Sequence, residues 1–153
     1  MRYLGNRRAD YRPNDEFYTP ADIFIKLGVA FELDVAAPAG GVSWIPADHY
    51  YDKAIDGLSQ KWYGNVWMNP PFSQSKAWVQ RFVAHRHGIA LLPASKARWF
   101  QELWREDAAM TLLPYDLKFV YEHQTTNGIF MPCFLVAFGE ENKQALQRVG
   151  FVR

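Results

Sequence analysis

The segment Val66-Trp67-Met68 is apolar and is followed at once by Asn69-Pro70-Pro71-Phe72. A proline cannot donate a hydrogen bond to a sheet, and it restricts the residue before it to extended backbone. The chain must therefore leave a strand near residue 69 and enter a stiff loop. Because the ligands of open α/β sheets bind outside the carboxyl ends of strands, this loop is the first place to expect a binding site.

The residues of this loop suit chemistry on a planar amine. An exocyclic amine of a nucleobase is a weak nucleophile, because its lone pair is delocalised into the ring. The side-chain oxygen of Asn69 and a carbonyl of the Pro70-Pro71 pair would accept its hydrogens and support the positive charge that develops on the nitrogen. Phe72 would stack on a base that has left its duplex. The alternative is a strand-ending turn with Phe72 in the core.

Strand-like and helix-like patterns alternate along the chain, which predicts an open, mostly parallel sheet covered by helices. The predicted strands are residues 31–36, 66–69, 89–93 and 110–113, and residues 118–121 and 130–138 are expected to form a final antiparallel pair around a polar loop, 122–128. Residues 42–65 are expected to be largely irregular. Since the interval between residues 34 and 69 is short for a helix-strand-helix insert, that edge of the sheet should be abbreviated.

Helix signals fall between these strands. Thr19 is a predicted cap for a helix whose first residue is Pro20. The spacing of apolar residues predicts a second helix from Ser75 to about residue 87, and a last helix is expected over 141–149. Another helix is predicted to be capped near Ser95 and to carry its apolar residues on one face; these are Trp99, Phe100, Leu103 and Trp104.

Four segments in order carry a resemblance to a known family. They are Tyr18-Thr19-Pro20, the run from Leu33 to Gly41, Asp56-Gly57-Leu58 and Asn69-Pro70-Pro71-Phe72. The sequence resembles amino-methyltransferases that use S-adenosylmethionine, and most closely the phage and prophage DNA N6-adenine methyltransferases often called Dam-like. The resemblance extends from about residue 15 to about residue 139. It implies a Rossmann-like methyltransferase fold, S-adenosylmethionine as cofactor, DNA as partner and the cytoplasm of a bacterial or phage-infected cell.

The resemblance also implies roles for the methionine side of a cofactor site. Tyr18, Thr19 and Pro20 would lie beside the methionine part of S-adenosylmethionine, and Asp34 would pair with its ammonium group. The residues agree with the second role, because Asp34 ends an alternating run and begins a loop of small residues that a ligand can approach closely. Ala36 and Gly41 belong to this loop. The alternative for Asp34 is a turn-capping carboxylate.

The adenosine side of the site is assigned in the same way. The resemblance implies that Asp56 and Leu58 meet the cofactor's adenine, through a carboxylate and an apolar contact. Asp-Gly is also an ordinary turn signal, so a plain turn remains the alternative. Asp48 is a further candidate, for the ribose hydroxyls. The loop from residue 34 to 41 departs from the tighter acidic-x-Gly-x-Gly pattern of many methyltransferases.

Composition fits one domain over residues 1–153, with residues 1–14 as a mobile arm. The 153 residues are 49% hydrophobic, enough for a core without disulfides, and the single cysteine, Cys133, is expected in that core. No apolar segment has the length of a membrane span, so a soluble intracellular protein is expected. A net charge of +1 is not that of a tight nonspecific DNA binder. Local basic clusters could contact phosphate or could be solvated surface; they include Lys76, Arg81, Arg86, Lys96 and Arg98.

Three functions are left open by the sequence. The first is methylation of adenine N6 in DNA, with Asn69 as the main catalytic residue. The second is methylation of a protein glutamine or an RNA base, because the same loop suits any planar amine or amide. The third is a catalytically silent methyltransferase-like module that binds nucleic acid. The chain has little room for a separate recognition domain, so specificity would rest on short loops, a homo-oligomer or a partner protein.

Overall fold

The computed structural model describes residues 18–114, 117–121, 124–125 and 132–153, so the predicted arm lies outside the described residues. Its helices are α1 (Ala21–Leu27), α2 (Ser75–His85), α3 (Arg98–Leu103) and α4 (Glu140–Leu146). Its strands are β1 (Phe31–Asp34), β2 (Ala47–Tyr50), β3 (Val66–Met68), β4 (Gly88–Pro93), β5 (Ala109–Leu112), β6 (Val120–Tyr121), β7 (Gln124–Thr125) and β8 (Cys133–Phe138). The predicted alternation of strands and helices is present.

The main sheet has six strands in the order β2-β1-β3-β4-β8-β5. Strands β2, β1, β3 and β4 are parallel, whereas β8 is antiparallel to both of its neighbours. The chain passes outward from β1 to β2 and then crosses to β3 on the other side of β1. The strand order thus reverses between β1 and β3, and such a reversal opens a crevice at the carboxyl ends of the two strands.

The pairing predicted for the C-terminal strands is wrong. Residues 133–138 pair with β4 and β5, and β6 pairs instead with β7 in a separate two-stranded ribbon. The predicted loop 122–128 therefore contains strand β7, and its other residues lie outside the described ones. Five of the six residues of β8 are buried. A strand that is apolar on both faces is most stable inside a sheet, which explains its central place.

Both faces of the sheet are covered, because its strands alternate their side chains between two apolar cores. One core contains Trp67, Ile89 and Leu91, together with residues of α1 and α4. The other contains Val66, Met68, Ala90 and Leu92, together with residues of α2 and α3. Cys133 is buried in the first core, as expected, and burial raises the pKa of its thiol to about 12.

The segment predicted to be irregular contains strand β2. Asp48, His49 and Tyr50 of β2 are exposed, so no apolar pattern announces the strand. It forms because β1 offers a free edge, on which Leu33 is aligned with His49. Between β2 and β3 the chain makes one 3-10 turn, Gly57–Ser59, and no α-helix, within a stretch that is described throughout. This edge of the sheet is therefore short.

Two predicted helix starts are also corrected. Pro20 occupies the N-cap position of α1 rather than its first turn, and no side chain caps that helix. Helix α3 begins only at Arg98, because the Ser95 hydroxyl accepts a hydrogen bond from the Ala97 N–H and holds a turn there. Trp104, predicted on the apolar face, follows the end of α3 and is 42% exposed.

Helix α2 ends at His85, earlier than predicted, because Arg86 adopts a left-handed conformation with φ 58°. Among the described residues, no helix combines the length and the apolar composition that a membrane crossing requires.

Candidate active site

A cavity of about 570 Å³ lies at the carboxyl ends of β1 and β3, where the strand order reverses. Its volume is in the usual range for small-molecule sites. Seven of the residues singled out from the sequence line it, namely Tyr18, Thr19, Asp34, Ala36, Asp56, Asn69 and Pro71. Further lining residues that the sequence did not single out for the site include Asp52, Lys53, Ser73, Gln74 and Trp78.

Asp34 is the most strongly perturbed group of the cavity. It ends β1 and is 3% exposed, and its Oδ1 accepts a hydrogen bond from the Ala36 N–H at 3.2 Å. Burial raises the pKa of Asp34 to about 7, although the hydrogen bond from Ala36 works in the opposite direction. No lysine, arginine or histidine forms an ion pair with it among the described residues. A cationic ligand in the cavity would supply the partner that a buried carboxylate requires.

Asn69 follows β3 and is held by Thr19. The Asn69 Nδ2 donates a hydrogen bond to the Thr19 Oγ1 at 3.3 Å, and the Thr19 carbonyl accepts one from the Trp44 Nε1 at 2.8 Å. Thr19 is completely buried. The hydroxyl predicted to cap α1 thus contacts the Asn69 amide instead. Because the Asn69 Nδ2 faces Thr19, the Asn69 Oδ1 points away from Thr19.

Asp56 lies on a constrained loop. Its φ of 62° is in the left-handed region, which is unfavourable for a residue other than glycine. The next residue, Gly57, lies so close to β1 that a Cβ there would be 2.0 Å from the Val35 carbonyl oxygen. The Gly57 carbonyl accepts a hydrogen bond from the Trp62 Nε1 at 2.8 Å. The loop is thereby pressed against the strand that carries Asp34.

Arg81 supports the same loop from α2. Its guanidinium donates to the carbonyls of Leu58 and Gln60 and lies 4.8 Å above the Trp62 ring. Arg81 is therefore occupied within the protein, and phosphate contact, considered for it from the sequence, does not fit this geometry. Sequence spacing gave no signal for the contact, since the carbonyls lie about 20 residues before Arg81.

Two other arginines of the basic clusters also have partners. Arg86 pairs with Glu106 at 2.9 Å, and Arg98 pairs with Glu102 at 2.7 Å.

Five predicted site residues do not line the cavity. Pro20 is the N-cap of α1, Pro70 is buried, and Leu58 is half-buried against the second core. Gly41, with φ 74°, lies under Tyr50, whose ring would be 2.9 Å from a Cβ at that position. Phe72 packs on the first core and faces a neighbouring groove. Asp48 is exposed on β2, and it does not line the cavity either.

Two indole N–H groups beside the cavity are buried without an acceptor. They belong to Trp67 and Trp78, and neither makes a hydrogen bond in the part of the chain that the structure describes. Unpaired buried donors are rare in folded proteins, so each of these two groups calls for a partner such as an ordered water or a ligand. Within the described ranges, no group of three or more His, Cys, Asp or Glu residues is arranged to hold a metal ion.

The fold is that of an α/β protein, and its cavity lies at a reversal of strand order. The model of the DNA N-6-adenine-methyltransferase (Dam) family matches residues 8–140, and the chain belongs to that family. DNA is accordingly the expected substrate, and methylation of adenine is the activity of the family. A search of curated proteins gives no match, and a search of solved structures gives none.

Proposed function

We propose that this protein transfers a methyl group from S-adenosylmethionine to the N6 amine of an adenine that has left its DNA duplex. The observation that carries the proposal is that one cavity brings together the buried Asp34 carboxylate and the Asn69 amide at the ends of adjacent strands. The first has the chemistry to hold a cationic ligand. The second has the chemistry to accept hydrogen bonds from an amine.

The residues of the cavity fit S-adenosylmethionine, which carries an ammonium group and a sulfonium. Three aspartates and one lysine line the cavity, namely Asp34, Asp52, Asp56 and Lys53, so acidic side chains predominate. Asp34 would bind the ammonium group, and ionisation of the buried carboxylate would then be compensated. Asp56, held in its unfavourable backbone conformation, would bind at the adenosine side. When bound, S-adenosylmethionine would supply an electrophilic methyl group: the methyl–sulfur bond would break as the methyl–nitrogen bond forms, and the methylated amine would then release a proton to solvent.

Asn69 would act on the acceptor amine. Its Oδ1 would accept a hydrogen bond from the amine, and a carbonyl of the Pro70-Pro71 pair would accept the second. As the nitrogen gains positive charge, these fixed dipoles stabilise it without having to reorient. The Thr19 hydroxyl keeps the Asn69 amide in the required orientation. Because Phe72 lines the groove and not the cavity, it would stack on the extruded base only where that base extends to the groove side of the loop.

The test is transfer of labelled methyl from S-adenosylmethionine to unmethylated DNA, followed by digestion to nucleosides. RNA and protein serve as parallel acceptors. The expected product is N6-methyladenine in DNA alone. Label found in RNA or in protein glutamine would mean that RNA or protein, and not DNA adenine, is the substrate. No transfer to any acceptor, with folded protein and no cofactor binding by calorimetry, would favour the catalytically silent module.

Replacement of Asn69 by alanine tests the catalytic role directly. Asn69→Ala should lower the methylation rate at least about 100-fold, the effect typical of removing one preorganised dipole. Binding of S-adenosylmethionine, measured by calorimetry, should be nearly unchanged. Gln144→Ala removes an exposed amide on α4 and should change neither quantity. Equal loss of activity and cofactor binding in Asn69→Ala would mean that Asn69 supports the fold.

A further inference from the structure

A second concave surface adjoins the cavity on the far side of the turn that contains Ser73 and Gln74. It is a groove of about 450 Å³ between the start of α2 and helix α3. Ser73 and Gln74 line both the groove and the cavity, so this turn is a shared wall. Phe72 and Trp99 supply aromatic surface, and Lys76, Gln74 and Gln80 supply polar groups.

The groove and the cavity differ in charge. Lys76 is the only charged residue among the described residues that line the groove, whereas aspartates predominate in the cavity. A polyanion would be repelled from the cavity and attracted to the groove. The exposed ammonium group of Lys76 is not engaged in an ion pair with any described residue.

Aromatic rings beside a cation are the combination that binds single-stranded nucleic acid, because bases stack on rings while the backbone meets positive charge. Trp99 is half-buried, and its ring stands edge-on to Phe100 at 5.6 Å, which fixes its orientation. One face of a rigid, partly exposed indole is a suitable platform for a base. The polar Ser73, Gln74 and Gln80 add hydrogen-bonding groups around it.

We propose that this groove binds the DNA strand next to the extruded adenine, with a neighbouring base on Trp99 and a phosphate at Lys76. The inference rests on the proposed function, since it is the substrate strand that would lie there. It assigns substrate recognition to the surface of α2 and α3, where the sequence offered Lys76 as a possible phosphate contact but gave no binding role to Trp99. The surface of α2 and α3 would thus position the substrate strand beside the reacting base.

The test measures binding of a fluorescently labelled oligonucleotide with one extruded or mismatched adenine, by anisotropy at several salt concentrations. Trp99→Ala should weaken binding about tenfold, as expected for the loss of one base-stacking contact, and Trp99→Phe should retain most of the affinity. Lys76→Ala should reduce the slope of log affinity against log salt by about 0.7 to 0.9, the value for one phosphate contact. Cofactor affinity should be unchanged in all three variants.

Two matched controls separate the groove from a general surface effect. Trp104→Ala removes an exposed tryptophan just beyond α3, and Lys26→Ala removes an exposed lysine on α1; neither residue lines the groove. Wild-type affinity and salt slope in Trp99→Ala and Lys76→Ala would overturn the groove assignment, even if the protein methylates DNA. If wild-type protein methylates RNA or protein instead, the proposed function fails. The assignment of a DNA substrate strand to the groove would then fail as well, whereas DNA methylation with unaffected oligonucleotide binding in the two variants would overturn the groove assignment alone.

Discussion

Polar side chains are buried at both ends of the central sheet, but the two ends differ in whether these side chains have hydrogen-bond partners. At the amino ends of the parallel strands, Asn65 and Asn142 are 8% and 1% exposed. Asn65 Nδ2 donates to the Ala30 carbonyl and to Asn142 Oδ1, while Asn142 Nδ2 donates to Asn65 Oδ1 and to the Phe138 carbonyl. Every amide hydrogen of this pair has an acceptor.

At the carboxyl ends, the buried groups are not matched in this way. Asp34 accepts a hydrogen bond from one backbone N–H, its pKa is raised to about 7, and two indole donors nearby have no acceptor among the described residues. Burying a polar group costs free energy unless partners compensate it. The amino end thus compensates its buried polar groups within the protein, whereas a ligand in the cavity, as proposed above, would compensate those at the carboxyl end.

The largest expected effect is on the pH dependence of the free energy of unfolding. If this effect is absent, the two ends of the sheet do not differ in the way described above. Because burial raises the pKa of Asp34 from 3.8 to about 7, the folded protein binds more protons than the unfolded chain between these values. Stability should therefore fall as pH rises through this window, by about 4 kcal/mol in total. Asp34→Asn cannot ionise and should lack this loss. Chemical denaturation of both proteins between pH 4 and pH 8 measures the difference, and parallel curves would show that Asp34 ionises normally.

The next effect concerns the satisfied end. Asn142→Ala removes three buried hydrogen bonds, two of them to the Asn65 side chain, so it should lower the free energy of unfolding by about 3 kcal/mol. Cofactor binding should survive under conditions in which the variant is folded. The exposed Gln144 on the same helix provides the control, since Gln144→Ala should be nearly neutral in denaturation. A loss of cofactor affinity in folded Asn142→Ala would mean that the two ends are not separable.

The smallest expected effect concerns the hydrogen bond between Thr19 and Asn69 at the carboxyl end of the sheet. Thr19→Val removes the hydroxyl that accepts the Asn69 hydrogen bond, and the methylation rate should fall about fivefold, corresponding to about 1 kcal/mol. Thr19→Ser keeps the hydroxyl and should retain most activity. Steady-state rates at saturating cofactor provide the measurement. If serine and valine variants are equally impaired, the Thr19 methyl group, and not its hydroxyl, is what matters.

Much of this arrangement follows from local sequence signals. An alternating run that ends in Asp34, and an apolar run that ends before Asn69 and two prolines, predicted two strands. The family resemblance implied that the ends of these strands share one site. The structure does bring Asp34 and Asn69 to one cavity, while their chemical roles stay proposals. Strand β2 was missed, because its exposed residues follow no pattern and its pairing depends on β1.

Tertiary contacts account for the other differences. Thr19 has the residue type of a helix cap, and only the approach of the residue 69 loop shows that its hydroxyl has another partner. Arg81 belongs to a basic cluster and was therefore a candidate for phosphate contact. In the folded chain its guanidinium instead donates hydrogen bonds to two backbone carbonyls. Apolar character predicted that β8 is buried but not which strands it pairs with, since local sequence does not specify long-range neighbours.

The central place of β8 has a consequence for how the chain is made. Ribosomes release β4 and β5 before β8, yet β8 lies between them and pairs with both. Until residue 138 has emerged, both strands keep an open edge of unpaired backbone groups, which readily pairs with other chains. The sheet therefore closes only after β8 has been synthesised, through contacts between distant parts of the chain that form slowly. A nascent or truncated chain that ends before residue 133 should aggregate rather than fold.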